Sequence, residues 1–239
     1  MDPNYSSYYR QLYEKHWWWR MRERWILRIL RLNAPHSGWN PILDVGCGDG
    51  LFFDRLSEFG EVEGLEPSRE IVDPSNPHFS KIHIGRFDES FQPDKQYSLI
   101  LLLDVLEHIS DPANALNRCK SLLKPGGALI LTVPAFNLVW TNHDISNYHM
   151  TRYRRATLFP LLKRAGFKIE DSAYWFHWTF PVKLAERCIE KLFRLRPKNP
   201  PIPPAWLNRA LFCLCSIEHS ILGPLRLPFG TTLFVRCTK

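Results

Sequence analysis

A short turn near the start of the chain combines three glycines with two carboxylates. In ILDVGCGDGLF, residues 42–52, glycines stand at 46, 48 and 50, with Asp44 before them and Asp49 among them. Such glycines let backbone N–H groups approach a ligand closely, as in nucleotide-binding loops. Two carboxylates would repel a pyrophosphate by about 1 kcal/mol or more each, and the spacing is GxGxG rather than GxGxxG. The turn therefore favours a ligand with a nucleoside at one end and a positive group at the other.

A further carboxylate, Glu66, ends the next apolar run, residues 62–65. An acidic side chain about twenty residues after a glycine loop can accept hydrogen bonds from both ribose hydroxyls, and it disfavours a 2′-phosphate. S-adenosylmethionine has a ribose, an ammonium and a sulfonium. We therefore predict S-adenosylmethionine, with S-adenosylhomocysteine as its product, for this site.

Short apolar runs are the elements that must hold these residues in place. They begin near Ile42, Val62, Ser80, Tyr97 and Gly126 and are separated by helical stretches. Runs of this kind predict a doubly wound α/β fold, with a mostly parallel sheet covered by helices on both faces. A helix (ATLFPLLKRAGF) and a strand (KIEDSAYWF) come next. About fifty helical, proline-interrupted residues then precede a last strand, GTTLFVRC.

This pattern divides the chain into four parts. We expect an N-terminal helical lid (1–40), a cofactor-binding core (41–175), a helical insertion (176–228) and the final core strand (229–239). The first part reads as helix, with Trp18, Met21, Trp25 and Leu32 among its apolar positions compatible with burial. RPKNPPIPP, residues 196–204, predicts a rigid extended connector.

Composition limits the setting of the protein. The chain has 239 residues and a net charge of +7, but its basic residues are spread over several regions, so ordinary solvated charge competes with a nucleic-acid or anionic-membrane partner. Its six cysteines form no CxxC pair, and we find no secretory signal or transmembrane stretch. These features favour a cytoplasmic protein, with peripheral membrane contact left open.

Five motifs resemble, in order and spacing, those of class I S-adenosylmethionine-dependent methyltransferases. They are LDVGCGDG, GLEPS, YSLILLLDVLEHISDP, LKPGGALILTVP and LLKRAGF, within residues 41–172. The resemblance implies a Rossmann-like seven-stranded sheet whose last strand is antiparallel. It also implies a set of cofactor-binding residues: Asp44, Gly46, Cys47 and Gly48 at methionine and ribose, Glu66 at ribose, Phe87 and Asp88 beside adenine, and Asp104, Val105 and Leu106 under the methionyl group.

Two flanking segments, YEKHWWWRMR and NHDISNYHMTRYRR, are similar to bacterial methyltransferases of the ubiquinone-biosynthesis type, many of unassigned substrate. That similarity implies an N-terminal helix over the cofactor, with Trp18 as an aromatic lid and Arg22 near the methionine carboxylate. The alternative is that the tryptophans only anchor the helix through hydrophobic packing.

Three histidines fall at strand ends, where a doubly wound sheet binds its ligands. His108, His143 and His149 are candidate general bases for a hydroxyl or amine acceptor, with His108 the first to test. Capping of a loop, or a purely structural loop network, is the competing explanation. Asp104, Glu107 and His108 also resemble an acidic-x-x-Glu-His metal motif of some ubiquinone-type O-methyltransferases. The aspartate at its first position departs from that motif, and we predict no metal.

The insertion combines large apolar side chains with cations. It could form a cap over the active site, a dimer contact or an interfacial surface for a lipid-linked acceptor. We predict methyl transfer from S-adenosylmethionine to oxygen or nitrogen of a small-molecule or lipid-linked acceptor. A non-catalytic cofactor-binding protein is the alternative. RNA methylation is less favoured because DVLEH replaces the Asn-Pro-Pro-Tyr type of signature and no RNA-binding domain is appended.

Overall fold

A seven-stranded sheet organises the chain. The computed structural model describes residues 3–196 and 201–239. Its strands are β1 Ile42–Val45, β2 Val62–Glu66, β3 Ile82–Ile84, β4 Tyr97–Leu103, β5 Leu123–Pro134, β6 Lys168–Trp175 and β7 Thr232–Thr238. Their order is β3-β2-β1-β4-β5-β7-β6. The first five strands pair in parallel, whereas β7 is antiparallel to both β5 and β6. The predicted doubly wound fold with an antiparallel last strand is confirmed.

Helices cover both faces of this sheet. They are α1 Pro3–Lys15, α2 Trp17–Asn33, α3 Phe53–Leu56, α4 Pro112–Leu122, α5 Asn142–Ser146, α6 Arg155–Arg164, α7 Thr179–Phe193 and α8 Ala205–Leu222. Alternate residues of β4 enter different cores, because successive side chains of a strand point to opposite faces. Leu99 and Leu101 pack with residues of α2 and α3, whereas Ile100 and Leu102 pack with residues of α4 and α6.

The N-terminal part contains two helices rather than the single one predicted. His16 interrupts it with an extended backbone, and its Nδ1 accepts a hydrogen bond from the Trp18 N–H at 3.1 Å. This contact caps α2 by satisfying one of the free N–H groups of its first turn. Met21 and Trp25 are buried as predicted, whereas Leu32 is exposed near the end of α2.

The stretch between β6 and β7 holds α7 and α8. Four residues of the predicted connector, 197–200, lie outside the described residues, and 201–204 form neither helix nor strand. No helix within the described ranges has the length and apolar character required to cross a bilayer. The division of the chain into lid, core and insertion stays a prediction.

Candidate functional site

The glycine turn follows β1 at the carboxyl edge of the parallel strands. Gly46 has a φ of +71°, and a Cβ added there would lie 2.5 Å from Cγ2 of Val105. A side chain at this position would therefore meet both an unfavourable backbone conformation and a steric clash. The glycine lets the turn pass close to the segment that follows β4. The motif LDVGCGDG therefore contacts the motif YSLILLLDVLEHISDP.

Glu66 braces this turn from the end of β2. One carboxylate oxygen accepts the Gly48 N–H at 3.0 Å, and the other accepts the Ser68 N–H at 3.0 Å. Burial raises the pKa of Glu66, while these two hydrogen bonds oppose that effect. Because each carboxylate oxygen can accept more than one hydrogen bond, Glu66 can support the loop and also receive ribose hydroxyls.

Asp44, near the end of β1, is buried close to Glu66 and the glycine turn. Burial raises its pKa to about 7, the nearby Arg22 guanidinium acts in the opposite direction, and the Glu66 carboxylate raises the pKa further. A cation that arrived next to Asp44 would favour the ionised carboxylate. The site is therefore suited to a ligand that brings its own positive charge.

An ion pair links α2 to the end of β4. The Arg22 guanidinium donates to the Asp104 carboxylate and, at 3.4 Å, to the Leu103 carbonyl oxygen. Burial would lower the pKa of Arg22, but the Asp104 carboxylate outweighs it, and the pKa is raised. Asp104 has a φ of +58°, which is uncommon without glycine and occurs often at functional sites. The structure thus brings together two of the predicted cofactor-binding residues.

Trp18 lies next to this ion pair. Cζ of Arg22 is 5.2 Å from the centroid of the Trp18 ring, and that ring stacks on Phe176 with centroids 5.6 Å apart. Trp18 therefore both contacts a site residue and anchors α2 against the core. These contacts fit both predicted roles of Trp18, as an aromatic lid over the cofactor and as a hydrophobic anchor of the helix.

Asp49 has a different role from the one that its sequence position suggested. Its carboxylate pairs with Arg10 of α1 and accepts the Asp73 N–H at 3.0 Å and Nδ2 of Asn76 at 2.8 Å. Asp49 therefore connects α1, the glycine turn and the segment after β2, and Arg10 offsets its negative charge. The negative charge that the loop offers to a ligand is therefore that of Asp44 and Glu66. The partners are 24 to 39 residues away along the chain, so no local pattern pointed to them.

The remaining predicted cofactor-binding residues differ in exposure. Phe87 and Cys47 are half-buried, and Leu106 is fully buried in the core. Asp88 is a turn residue whose carboxylate accepts the Ser90 N–H at 2.9 Å. Hydrogen bonds from the Ser90 side chain and backbone lower the pKa of Asp88. The roles of Phe87 and Asp88 beside adenine stay predictions.

A second charged cluster follows β5. Asp144 of α5 is fully buried, and its oxygens accept Nε and Nη2 of Arg152, each at 2.8 Å. It also accepts Nδ1 of His149 at 2.8 Å and the Thr141 N–H at 2.8 Å. Burial alone would raise the pKa of Asp144, but the bonds from His149 and Arg152 outweigh it, and the pKa is lowered. A carboxylate held on Nδ1 fixes the orientation and tautomer of an imidazole, which leaves Nε2 as a proton acceptor.

His149 meets two residues that follow β4. One ligand atom each of Glu107, His108 and His149 lies within 4.8 Å of the others, and the His108 and His149 ring centroids are 4.9 Å apart. Glu107 is 1% exposed, and neither of its carboxylate oxygens has a hydrogen-bond partner among the residues that the structure describes. Burial and the Asp104 charge raise its pKa well above the ordinary range. Such an arrangement can relay a proton or offer ligands to a divalent ion.

The acidic-x-x-Glu-His motif that Asp104, Glu107 and His108 resemble is only partly assembled. Asp104 is engaged by Arg22, and His149 lies beside Glu107 and His108 in its place. The third histidine, His143, has its ring centroid 6.2 Å from that of His149. Burial, assisted by the Lys183 charge, lowers the pKa of His143 to about 3. Burial and the neighbouring His149 lower the pKa of His108. Of the three predicted bases, His149 is the one that Asp144 orients.

Fold and site together define a Rossmann-like α/β protein with buried carboxylates at the ends of β1 and β2 and an oriented histidine beside the segment that follows β4. A family model described as a methyltransferase domain matches residues 7–172. The chain belongs to this family, and the predicted resemblance to S-adenosylmethionine-dependent methyltransferases is confirmed.

Individual relatives agree with this assignment. The chain is 27% identical over 171 residues to a probable S-adenosylmethionine-dependent methyltransferase of Mycolicibacterium smegmatis, covering 70% of this chain and 65% of that protein. It is 32% identical over 111 residues to the ubiquinone biosynthesis O-methyltransferase of Bradyrhizobium diazoefficiens, covering 44% and 43%. The matches thus span less than two thirds of these relatives.

Solved structures agree on the fold. An S-adenosylmethionine-dependent methyltransferase of Thermotoga maritima superposes with a TM-score of 0.61 at 18% identity, covering 99% of this chain and 97% of that one. At this identity the likeness concerns the fold alone.

Proposed function

We propose that this protein transfers a methyl group from S-adenosylmethionine to a hydroxyl oxygen of a small-molecule or lipid-linked acceptor. The observation that carries the proposal is the buried Asp44 and Glu66 at the ends of β1 and β2, beside a glycine turn that a side chain would obstruct. These groups match a ribose and a cationic amino-acid moiety and disfavour a phosphate. Oxygen is favoured over nitrogen because ubiquinone biosynthesis O-methyltransferases are among the relatives.

The residues present fit this cofactor. Glu66 would accept the ribose hydroxyls, Asp44 would face the ammonium, and Arg22 would share its charge between Asp104 and the methionine carboxylate. When bound, the cofactor supplies an electrophilic methyl group on a sulfonium, ready for in-line displacement. The chain itself has to align the acceptor and exclude water.

His149 would act as the general base. While the acceptor oxygen took the methyl group and S-adenosylhomocysteine was left as the product, Nε2 of His149 would accept the hydroxyl proton. The Asp144 carboxylate on Nδ1 stabilises the imidazolium that results. Glu107 and His108 adjoin this histidine and would receive the proton afterwards or position the acceptor. A base of this kind contributes about 10²- to 10⁴-fold in rate.

The test combines calorimetry with a transfer assay on the full chain. We expect S-adenosylmethionine and S-adenosylhomocysteine to bind, nicotinamide dinucleotides not to bind, and S-adenosylhomocysteine to be released with phenol-type or alcohol acceptors. Binding without release across hydroxyl, amine and RNA acceptors would favour the non-catalytic alternative, and release with RNA alone would favour the RNA alternative. Folded protein that binds a dinucleotide but neither adenosyl compound would refute the proposal.

A further inference from the structure

Each of the two helices between β6 and β7 exposes large apolar side chains to solvent. Ten of the seventeen large apolar side chains that are exposed in the described residues lie within residues 176–228. Exposed apolar residues scattered singly are ordinary on protein surfaces, whereas a contiguous apolar face marks an interaction site. The arrangement of these side chains on each helix therefore distinguishes an ordinary surface from an interaction site.

On α7, exposed apolar residues recur every three or four positions. Val182, Ile189, Leu192 and Phe193 are all at least half exposed, and Leu192 reaches 76%. Residues at this spacing share one face of a helix. We call them the α7 stripe.

The side of α7 that contacts the protein is mixed. Phe180 packs on Phe136 and Phe229, Arg187 donates to the carbonyl oxygen of Leu138 at 2.7 Å, and the Glu190 carboxylate accepts the Asn142 N–H at 2.8 Å. A helix of a globular protein normally exposes a polar face. In α7 the exposed face instead carries the α7 stripe, which is available for something outside the chain.

Apolar residues are also exposed on α8. Trp206, Leu214, Ile217 and Ile221 are exposed along one face, Trp206 to 71%, and we call them the α8 stripe. The inward side of this helix packs Cys215 and Phe212 against the core. It also holds two buried polar residues, since Asn208 accepts the Trp17 N–H at 3.0 Å and Glu218 accepts the Trp178 N–H at 2.6 Å. Two helices in succession thus present apolar stripes to solvent while their other sides are anchored to the protein.

The charge of this segment identifies its partner. Residues 176–228 contain eight lysines and arginines against three acidic residues, a net charge of +5 out of the +7 of the whole chain. Among the described cations, Lys191, Arg194 and Arg196 are exposed at the end of α7, and Arg209 is exposed on α8. Apolar residues flanked by cations match a surface with an apolar interior and negatively charged headgroups. A second copy of the chain would bring a like charge against this one.

We propose that the α7 and α8 stripes bind the surface of anionic phospholipid membranes. This partner goes beyond the proposed methyl transfer and is independent of it. Combined with that function, it would provide the enzyme with acceptors that reside in a bilayer. Large apolar side chains would enter the headgroup region while the cations contact lipid phosphates.

Vesicle flotation of the full chain tests this proposal. We expect the protein to float with vesicles that contain about one third phosphatidylglycerol, and to float far less with phosphatidylcholine alone or at about 0.5 M salt. Leu192→Asp/Phe193→Asp and Ile217→Asp/Ile221→Asp should each lower the partition coefficient about tenfold or more. Leu32→Asp is the matched control, since Leu32 is 73% exposed on α2. It should leave flotation unchanged.

Each other outcome contradicts the proposal that the stripes bind a membrane. A wild-type protein that floats with neither vesicle, or stripe variants that float as well as Leu32→Asp, would overturn the proposal. A wild-type dimer in light scattering that the stripe variants convert to monomer would assign the stripes to a second copy. Circular dichroism and cofactor calorimetry on every variant separate this result from misfolding and from failure of the methyltransferase function.

Discussion

Asp44 and Glu66 at the ends of β1 and β2 differ from Asp144 after β5 in what surrounds their charge. Burial dominates at the first two, and their pKa values are raised. Asp144 is equally buried, but a bidentate arginine, a histidine and a backbone N–H saturate it, and its pKa is lowered. An incoming positive group or hydroxyl donor would thus stabilise the ionised carboxylates of β1 and β2, whereas Asp144 is already stabilised by its protein partners.

This difference assigns separate tasks to the two clusters. A carboxylate whose charge is unfavourable in the free protein is suited to bind a ligand, and a saturated carboxylate is suited to hold other side chains in place. We therefore expect substitutions at Asp144 to affect stability first, and substitutions at Glu66 and Asp44 to affect cofactor affinity first. Four predictions test this contrast.

The largest effect should follow Asp144→Ala. The substitution leaves the guanidinium of Arg152, whose side chain is 4% exposed, without its buried partner. We expect the free energy of unfolding, measured by urea titration, to fall by about 3 to 5 kcal/mol. In the control Asp171→Ala, which removes an exposed ion pair with Arg226, the loss should stay below about 1 kcal/mol. Equal losses in the two variants would mean that Asp144 is not the structural anchor.

His149→Gln should have the next largest effect, and on rate rather than on stability. Loss of the oriented base should lower kcat for a hydroxyl acceptor by about 10²- to 10³-fold and leave cofactor affinity within about twofold. His143→Gln is the matched control, because the burial of His143 keeps its imidazole neutral and Asp144 does not hold its ring. A similar loss of kcat in both variants would remove His149 from the special position that we assign to it.

Glu66→Gln should weaken cofactor binding without reducing stability to the same degree as Asp144→Ala. The amide keeps the shape of the side chain, but its NH₂ group faces a backbone N–H and lacks the charge that strengthens hydrogen bonds from ribose. We expect the Kd for S-adenosylmethionine to rise about 30- to 100-fold in calorimetry, which corresponds to about 2 to 3 kcal/mol. Glu63→Gln on the same strand should change it less than about twofold, since Glu63 binds Lys95 and Tyr97 instead.

The meeting of the glycine turn with Glu66 could be predicted from the sequence because its parts are local. A glycine turn after an apolar run and an acidic residue at the end of the next run determine which groups meet at a sheet edge. Asp144, Arg152 and Glu107 carry no such local signal. Their roles depend on which side chains become buried together, and Glu107 meets His149 only after β4 and β5 pair.

The helices at both ends of the chain show a second limit. Periodicity identifies an amphipathic helix, but it does not say which face the core will cover. In α2 the apolar positions are mostly buried, whereas in α7 and α8 an apolar stripe is exposed. The break at His16 was missed for a similar reason, because the residues around it are good helix formers and only the capping contact reveals it.

The smallest predicted effect is the pH dependence that Asp44 should impose on cofactor affinity. With a pKa of about 7 in the free protein, Asp44 is mostly protonated at pH 6 and mostly ionised at pH 7.5. An α-amino group, with an ordinary pKa of about 7.7 to 8.0, stays mostly charged over this range. Affinity for S-adenosylmethionine should therefore rise about fivefold between these pH values, or about 1 kcal/mol. Asp44→Asn should flatten this profile, whereas Glu66→Gln should keep a rise with pH at a lower affinity, displaced toward lower pH because the Glu66 charge no longer raises the pKa of Asp44.

The same group should act on stability in the opposite direction. Because the folded-state pKa of Asp44 lies above its unfolded value of 3.8, the folded chain binds more protons between these values. The stabilising contribution of protonated Asp44 is complete below about pH 4 and is lost as the pH rises through 7. Urea titrations of wild type and Asp44→Asn should therefore converge at low pH and diverge toward pH 7.5, with the variant the more stable. If affinity and stability instead rose together with pH, Asp44 would be a structural carboxylate like Asp144, and the contrast between the two clusters would fail.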